Sequence, residues 1–398
     1  MHATHFLFKR ISRHCQSVHG VRLKALFAAV NTVCEGAPLT LTGLGRWLRS
    51  AAKVKHAIKR MDRLLSNRHL HRERFELYAA QAALLLGGVT QPIIVVDWSK
   101  LSHNRRWQLL RASVPVGGRA LTLYEEVHPL SKLGNRAVQR RFLARLKDIV
   151  PSGSVPIIVT DAGFTVPWFR LVERQGWEWL GRVKNRSYLL KDGDGWWYRA
   201  EALHEGATKR AKCLGSYTLT ERNPLSCSVY RYKNTAKGRV SRNLDGTRRG
   251  CCSSAKKAKV NREPWLLATS LPAEQSLARR VVNLFAKRMQ IEEAFRDLKS
   301  HRFGMGFEDS RTRCPERFGV LLLIATLAHL ALWLTGQAGQ RLNAHYRYQA
   351  NTERTRNVLS RVFLGAQLWR RADAAVDPGG VHHAFIDLHA LVAQGAGS

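Results

Sequence analysis

The chain has 398 residues, more than one compact core usually holds, so we expect two or three domains. Its 65 Lys and Arg against 29 Asp and Glu give a formal net charge of +36. So large an excess of one sign opposes folding unless an anionic partner offsets it, which favours nucleic acid or an anionic membrane surface. The seven cysteines form no CxxC pair, which argues against a zinc finger and favours reduced thiols.

The section up to Thr90 has the pattern of helices. From Val54 to Leu65 the apolar residues recur at helical spacing. The opposite face carries cations, which we expect to contact DNA: Lys55, Lys59, Arg60 and Arg63. A basic face is commonly just a solvated surface, but this one has a single sign, and residues 1–90 hold 15 basic against 4 acidic residues. We therefore predict a helical DNA-binding domain over residues 1–90.

A mixed α/β sheet is predicted after Thr90. Short β-branched runs bounded by Pro or Gly are typical of buried strands. The predicted strands are Pro92 to Trp98, Trp107 to Val116, Leu121 to Val127, Val155 to Asp161 and Trp177 to Val183, with a hairpin turn at Gly117-Gly118. The predicted helices between them are Arg136 to Ile149 and Pro167 to Gln175.

A strongly basic stretch follows. Residues 206–262 contain 15 basic and 2 acidic residues, with strand-like alternation from Ser226 to Tyr232 and a polar loop from Gly238 to Lys259. We interpret it as a basic, β-rich insertion. A long helix is predicted next, from Leu277 to Lys299.

The stretch from Phe318 to Leu334 approaches the roughly 20 apolar residues of a membrane-spanning helix. Thr326 and His329 interrupt it, so we interpret it as a buried core helix and expect no membrane partner. The first 15 residues lack the apolar segment of a signal peptide, so we expect a cytoplasmic protein. A polar tail with helical potential ends the chain.

Asp97 and Asp161 each end an apolar strand, in PIIVVD and PIIVTD. Carboxylates held on rigid strand ends suit a hard divalent cation, which prefers oxygen ligands. Alternatively, each Asp starts a turn, and Asp161-Ala162-Gly163 suits that role well.

The predicted helix from Leu277 to Lys299 adds a third carboxylate. Its apolar stripe is Leu284, Ile291, Phe295 and Leu298, and a narrow adjacent face carries Phe285, Arg288, Glu292, Arg296 and Lys299. By the same spacing, Glu293 points away from Arg288 and Lys299. The simpler alternative is a salt-bridge row from Arg288 through Glu292 to Arg296.

The spacing Phe285-x-x-Arg288-x-x-x-Glu292, followed seven residues later by Lys299, resembles the Tyr-Arg-Glu-Lys signature of bacterial insertion-sequence transposases of the DDE class. Within this class, the chain resembles the transposases of the tetracycline- and kanamycin-resistance composite transposons. The matching strings run over nearly the whole chain in the expected order: TLTGLGRWLR, KHAIKRMDRLLSNRHLH, VDWS, LTLYE, VTDAGF, EPWLLAT and KRMQIEEAFRDLKS.

The resemblance implies a ribonuclease-H-like catalytic core in which Asp97, Asp161 and Glu292 bind two Mg²⁺ ions, with Mn²⁺ as a substitute. It implies nicking of the transposon end, hairpin formation, hairpin opening and joining to target DNA, within a synaptic homodimer. The protein is then expected in the bacterial cytoplasm, associated with the nucleoid. The corresponding domains are 1–90 (DNA-binding), 91–205 and 273–336 (catalytic core), 206–272 (insertion) and 337–398 (helical tail, with a possible role in dimerisation).

The resemblance also implies DNA contacts in the site. Trp265 corresponds to the position that stacks on a flipped base, and Met289 to one that fills the gap. Arg288 and Lys299 would hold phosphates, as a bidentate clamp and a point charge. Phe285 departs from the signature, because the Tyr hydroxyl that would donate to a phosphate is missing. Without the resemblance, Trp265 and Met289 would be interpreted as core residues.

Two other hypotheses stand beside the transposase. One is a non-catalytic nucleic-acid binder, such as a repressor, with structural carboxylates. The other is a related nuclease that cuts without strand transfer. All three need phosphate contacts, so charge cannot separate them. The placement of the carboxylates favours an enzyme, and the matches at Trp265, Arg288 and Lys299 favour a transposase.

Overall fold

The structure is a computed structural model that describes residues 3–101, 106–234, 247, 263–302, 304–371 and 376–397. The chain divides into two compact units. The first comprises Met1–Pro156 and Lys287–Gly397, and the second comprises Ile157–Ala286. The loop predicted from Gly238 to Lys259 lies outside the described residues.

Helices and strands are numbered here in chain order. The helices are α1 (Ala3–His14), α2 (Gly20–Glu35), α3 (Leu41–Trp47), α4 (Val54–Leu65), α5 (Arg68–Leu86), α6 (Arg136–Ile149), α7 (Val166–Glu173), α8 (Ala278–Ala286), α9 (Met289–Lys299), α10 (Pro315–Arg341), α11 (Arg361–Arg371) and α12 (Pro378–Gly397). The strands are β1 (Ile93–Lys100), β2 (Trp107–Val116), β3 (Arg119–Pro129), β4 (Ile157–Thr160), β5 (Glu178–Arg182), β6 (Tyr188–Lys191), β7 (Trp197–Arg199), β8 (Lys212–Leu219), β9 (Leu225–Tyr232) and β10 (Trp265–Thr269).

The strands of the first unit, in the order β3-β2-β1, are antiparallel. The predicted hairpin turn joins β2 to β3, and both of its glycines have positive φ, 57° at Gly117 and 89° at Gly118. Glycine adopts such angles without the steric cost that a Cβ imposes. In the resulting register Asp97 lies opposite Arg111, which in turn lies opposite Glu125. Directly opposed residues share one face of a sheet.

Helix α10 forms the centre of the first unit, in contact with α2, α5, α11, α12 and β3. It is apolar on all sides, which is typical of a helix buried all round. Among the described residues it alone is long and apolar enough to cross a membrane, and its most apolar stretch is completely buried within the protein. This burial agrees with its interpretation as a core helix.

His329 lies in the middle of α10, with its Nε2 3.9 Å from the Asp297 carboxylate. Burial, and then the nearby Arg111 and Arg119, lower the pKa of His329 to about 3. Because the unfolded chain protonates this histidine below its ordinary pKa near 6.5 and the folded chain does not, the stability should fall as the pH drops.

Between pH 7 and pH 5 we expect His329 to account for a loss of about 2 kcal/mol in the free energy of unfolding. Urea denaturation of the native chain and of His329→Leu at both pH values measures this loss. The variant should lose less stability on acidification than the native chain, and equal losses would contradict the assignment.

The second unit contains a mixed sheet in the order β4-β5-β10-β9-β8-β6-β7. Strands β4 and β5 are parallel, and the other neighbours are antiparallel. Together with the helices, this sheet confirms the mixed α/β class. Strands β8, β9 and β10, from the predicted basic insertion, continue the sheet that contains β4 and β5. The domain boundaries predicted from the sequence stay predictions.

The single helix predicted from Leu277 to Lys299 is wrong: α8 ends at Ala286, and α9 begins at Met289. Helical spacing continues across the break without Pro or Gly, so the local sequence contains no stop signal. The break has a tertiary cause. Helix α8 packs on strands of the second unit, whereas α9 packs on β1, β2 and β3 of the first.

Candidate active site

Asp97 follows a run of four completely buried residues in β1, Ile93–Val96. Its side chain is 13% exposed, and its Oδ1 accepts a hydrogen bond from the backbone N–H of Trp98 at 2.7 Å. The apolar strand therefore holds this carboxylate on a rigid support, close to solvent.

The guanidinium of Arg288 joins Asp97 to Glu292. Its Nη1 lies 2.8 Å from Glu292 Oε1 and 3.6 Å from Asp97 Oδ2. Arg288 is largely buried, at 14% exposure, whereas half of the Glu292 side chain is exposed. The first pair of the predicted salt-bridge row is therefore present, but Arg296 pairs with Glu293 and not with Glu292. Glu292 is thus the acidic residue of α9 that shares a cation with Asp97.

Lys299, at the end of α9, approaches β1 further along the strand. Its Nζ donates to Ser99 Oγ at 2.6 Å and lies 5.3 Å from the centre of the Phe295 ring. Burial, and then the neighbouring Arg111, lower the pKa of Lys299 to about 8. This side chain is a half-buried cation that contacts the same face of β1 as Asp97, since residues two apart in a strand share a face.

Arg111 and Glu125 form a buried ion pair that the sequence reasoning missed. Arg111 donates to Glu125 Oε2 from Nε at 2.8 Å and from Nη2 at 2.6 Å, and both side chains are at most 3% exposed. Two opposite charges on neighbouring strands, nearly equidistant from the Gly117-Gly118 turn, were the available signal. Cross-strand pairing brings such residues together.

Asp161 lies in the second unit, directly after β4. Its Oδ1 accepts a hydrogen bond from the backbone N–H of Gly163 at 2.7 Å. The turn proposed as the alternative role of this residue is therefore present. A carboxylate has several acceptor positions, and one turn bond uses a single one of them.

Trp265 and Phe285 lie together in the second unit. Their ring centres are 5.0 Å apart, and Tyr232 lies 5.7 Å from Trp265 on the other strand of the pair. Phe285 lies in α8 of the second unit, and the face that it was predicted to share with Arg288, Glu292 and Lys299 of the first unit stays a prediction. Phe285 is 4% exposed and packs as a core residue, whereas Trp265 is only half-buried.

Met289 is 45% exposed at the start of α9, so its interpretation as a core residue is wrong. Its sulfur accepts a hydrogen bond from Arg288 at 3.3 Å. An exposed, flexible apolar side chain therefore stands beside the cation that joins the two carboxylates.

The cations of α4 are all exposed: Lys55, Lys59, Arg60 and Arg63. Met61 and Leu65 on the other face are buried, while Val54 from the predicted apolar stripe is exposed. Asp62 fastens α4 to α10 through both terminal nitrogens of Arg317, each at 3.0 Å. The predicted basic face is thus presented to solvent on an anchored helix.

Within the described part of the chain, no three His, Cys, Asp or Glu side chains form a group that could hold a metal ion. The donor chemistry nevertheless suits a divalent cation. Asp97 and Glu292 direct oxygens at one shared cation, the guanidinium of Arg288. Carboxylate oxygens are the ligands that Mg²⁺ prefers.

Comparison with known families gives a clear match. Residues 89–331, which include Asp97, Asp161 and Glu292, match the transposase DDE domain family. The match spans more than half of the chain, and the chain therefore belongs to this family. Transposase DDE domains generally use divalent metal ions.

Other comparisons are less informative. No curated protein sequence matches the chain. Among solved structures, the piggyBac transposase synaptic complex with hairpin DNA, determined by cryo-EM, is similar with a TM-score of 0.42 and 10% sequence identity. The similarity covers 96% of this chain and 82% of that chain.

Proposed function

We propose that this protein is a cut-and-paste transposase of a bacterial insertion sequence. It binds the terminal inverted repeats, nicks the DNA end, forms and reopens a hairpin, and transfers the 3′ end to target DNA. The observation that carries the proposal is the pair of carboxylates, Asp97 and Glu292, on the guanidinium of Arg288 within a DDE-family chain.

The proposed metal ligands are Asp97, Asp161 and Glu292, which would hold two Mg²⁺ ions or, in their place, Mn²⁺. When bound, the ions would assist in-line phosphoryl transfer by stabilising charge on the attacking and leaving oxygens. The strand support of Asp97 and Asp161 favours this role, because rigid ligands hold reacting groups in productive positions. We place these ligands in a ribonuclease-H-like core.

The cations of the first unit have proposed roles toward the DNA backbone. Arg288 carries five N–H donors in a planar fork, which suits bidentate binding of a phosphate. Lys299 supplies a point charge, and its hydrogen bond to Ser99 orients the ammonium group. We assign both to phosphates near the bond that is cut.

The proposed partner is double-stranded DNA, as transposon end and as target, with a homodimer in the synaptic complex. The exposed cations of α4 are the proposed end contacts: Lys55, Lys59, Arg60 and Arg63. Duplex DNA carries about one negative charge per 1.7 Å of its axis, which matches a one-signed helical face. We expect the protein to act on nucleoid DNA in the bacterial cytoplasm. The hairpin route is proposed from the resemblance of its sequence motifs to the transposases of the tetracycline- and kanamycin-resistance composite transposons.

Trp265 is the proposed stacking partner for a flipped base, supported by its half-buried ring at the start of β10. Trp265→Ala should lower the rate of hairpin formation about 10- to 100-fold, because base stacking on an aromatic contributes about 1–3 kcal/mol. The first nick should be unaffected. Quenched time courses with a labelled end duplex, analysed on denaturing gels, measure both steps. Trp265→Phe is the control that retains an aromatic ring. An unchanged hairpin rate in Trp265→Ala would refute this role.

The proposed function is tested with the purified chain, Mg²⁺ and a labelled duplex that carries the terminal inverted repeat of the element. Hairpin and strand-transfer products are expected on a denaturing gel. Cleavage without either product would reveal a simple nuclease instead. Binding of the duplex without cleavage would reveal a non-catalytic DNA-binding protein.

A further inference from the structure

Three cations surround the Asp97 carboxylate of the first unit: Arg111 on the neighbouring strand, Arg288 before α9 and Lys299 at the end of α9. A carboxylate among so many cations would lose affinity for a metal ion if each of them paired with it. The structure gives two of the cations other partners. Lys299 donates to Ser99, and Arg111 pairs with Glu125.

The register of the sheet decides where Arg111 points. Arg111 lies on the central strand, with Asp97 directly opposite on β1 and Glu125 directly opposite on β3, all on one face. The guanidinium contacts Glu125 through two of its nitrogens, Nε and Nη2. The group therefore points toward β3, on the side of its strand that faces away from β1.

The Glu125 carboxylate is itself held firmly. Its Oε2 accepts from Arg111, and its Oε1 accepts from Tyr78 on α5 and from Thr326 on α10, each at 2.9 Å. The side chain is 1% exposed. The Phe295 ring of α9 covers the other side of the guanidinium, with Arg111 Cζ 5.1 Å from the ring centre. Arg111 is thus fixed between a fully hydrogen-bonded acid and an aromatic ring.

We propose that Glu125 is a positioning residue that holds the Arg111 guanidinium away from Asp97, so that no ion pair with Arg111 competes with a divalent cation for the Asp97 carboxylate. The inference rests on the proposed role of Asp97 as a metal ligand. Without the charge of Glu125, a buried guanidinium lacks its counter-ion, and Asp97 is the carboxylate directly opposite it in the sheet. Buried cations take such a partner because an unpaired buried charge is very costly.

Binding of Mn²⁺ to the full-length chain without DNA, followed by electron paramagnetic resonance, tests the proposal apart from catalysis. Glu125→Gln retains an acceptor oxygen but removes the charge, and it should weaken Mn²⁺ binding about 10- to 100-fold, as changes in residues that orient metal ligands typically do. The double variant Arg111→Met/Glu125→Gln also removes the competing cation. It should bind Mn²⁺ within about threefold of the native chain.

Tyr78→Phe is the matched control, since it removes one hydrogen bond to Glu125 and leaves its charge. Its Mn²⁺ affinity should stay within about threefold of the native value. Native affinity in Glu125→Gln would overturn the proposal, as would equal weakening in the single and double variants, because that result indicates structural damage.

If Glu125→Gln does not fold, the double variant alone decides, with native-like affinity in support and a loss of about tenfold or more against. Asp97→Ala distinguishes a failure of the metal site from a failure of the proposed role of Glu125. If the native chain binds Mn²⁺ and Asp97→Ala binds it equally well, the metal site of the proposed function fails, and the role of Glu125 fails with it. If Asp97→Ala loses binding but Glu125→Gln does not, only the role of Glu125 fails.

Discussion

Glu292→Ala is expected to lower the rate of DNA-end cleavage by at least about 1,000-fold, because a bound metal supplies several kcal/mol of transition-state stabilisation and each 1.36 kcal/mol is tenfold in rate. Binding of the end duplex should remain close to native, since the cations of α4 are untouched. Gel assays of cleavage and fluorescence anisotropy of binding measure the two effects on the same preparations. Asp97→Ala and Asp161→Ala should behave alike.

Glu293→Ala is the matched control, because it removes the same side chain one position further along α9. Glu293 pairs with Arg296, whereas Glu292 shares Arg288 with Asp97. An exposed pair of this kind contributes little to stability, so Glu293→Ala should cleave at close to the native rate. Cleavage by Glu292→Ala at more than about a tenth of the native rate would refute the role of Glu292 as a metal ligand.

Gly336→Ala is expected to destabilise the protein by about 2 kcal/mol, because overpacking a tight contact typically costs about 1–3 kcal/mol. A Cβ at this position of α10 would lie 1.8 Å from the backbone oxygen of Arg361, at the start of α11. The approach is close from both sides, since a Cβ at Gly365 of α11 would lie 1.9 Å from the backbone oxygen of Leu332. Backbone atoms cannot turn aside, so the two helices would have to separate.

Gly319→Ala on the same helix is the control. A Cβ there would also lie 1.8 Å from a neighbouring atom, but that atom is Nη1 of Arg74, at the end of a flexible side chain. Arg74 can move, and alanine gains up to about 1 kcal/mol over glycine in helix propensity, so Gly319→Ala should be neutral or stabilising. Urea denaturation of both variants gives the comparison. Equal free energies of unfolding would show that the backbone contact at Gly336 is unimportant.

Much of the fold was predictable from local patterns. Helix α6 was predicted with its observed bounds, and β2 likewise, because amphipathic spacing and β-branched runs between turn signals are properties of adjacent residues. The apolar run of α10 predicted its burial for the same reason. The break between α8 and α9 was missed because neighbouring residues do not encode it. Helix α8 instead packs on strands of the second unit, and α9 packs on β1, β2 and β3 of the first.

The sequence by itself was enough to predict the candidate metal-binding carboxylates, the basic helical face and the resemblance to DDE transposases. Strand ends and helical spacing restrict where a side chain can point, and both are local properties of the chain. Only the tertiary structure decided which charges meet. It joined Asp97 to Glu292 through Arg288, and it paired Arg111 with Glu125 across two strands. Contacts of this kind depend on sheet register and helix packing, which bring together residues that are distant in the chain.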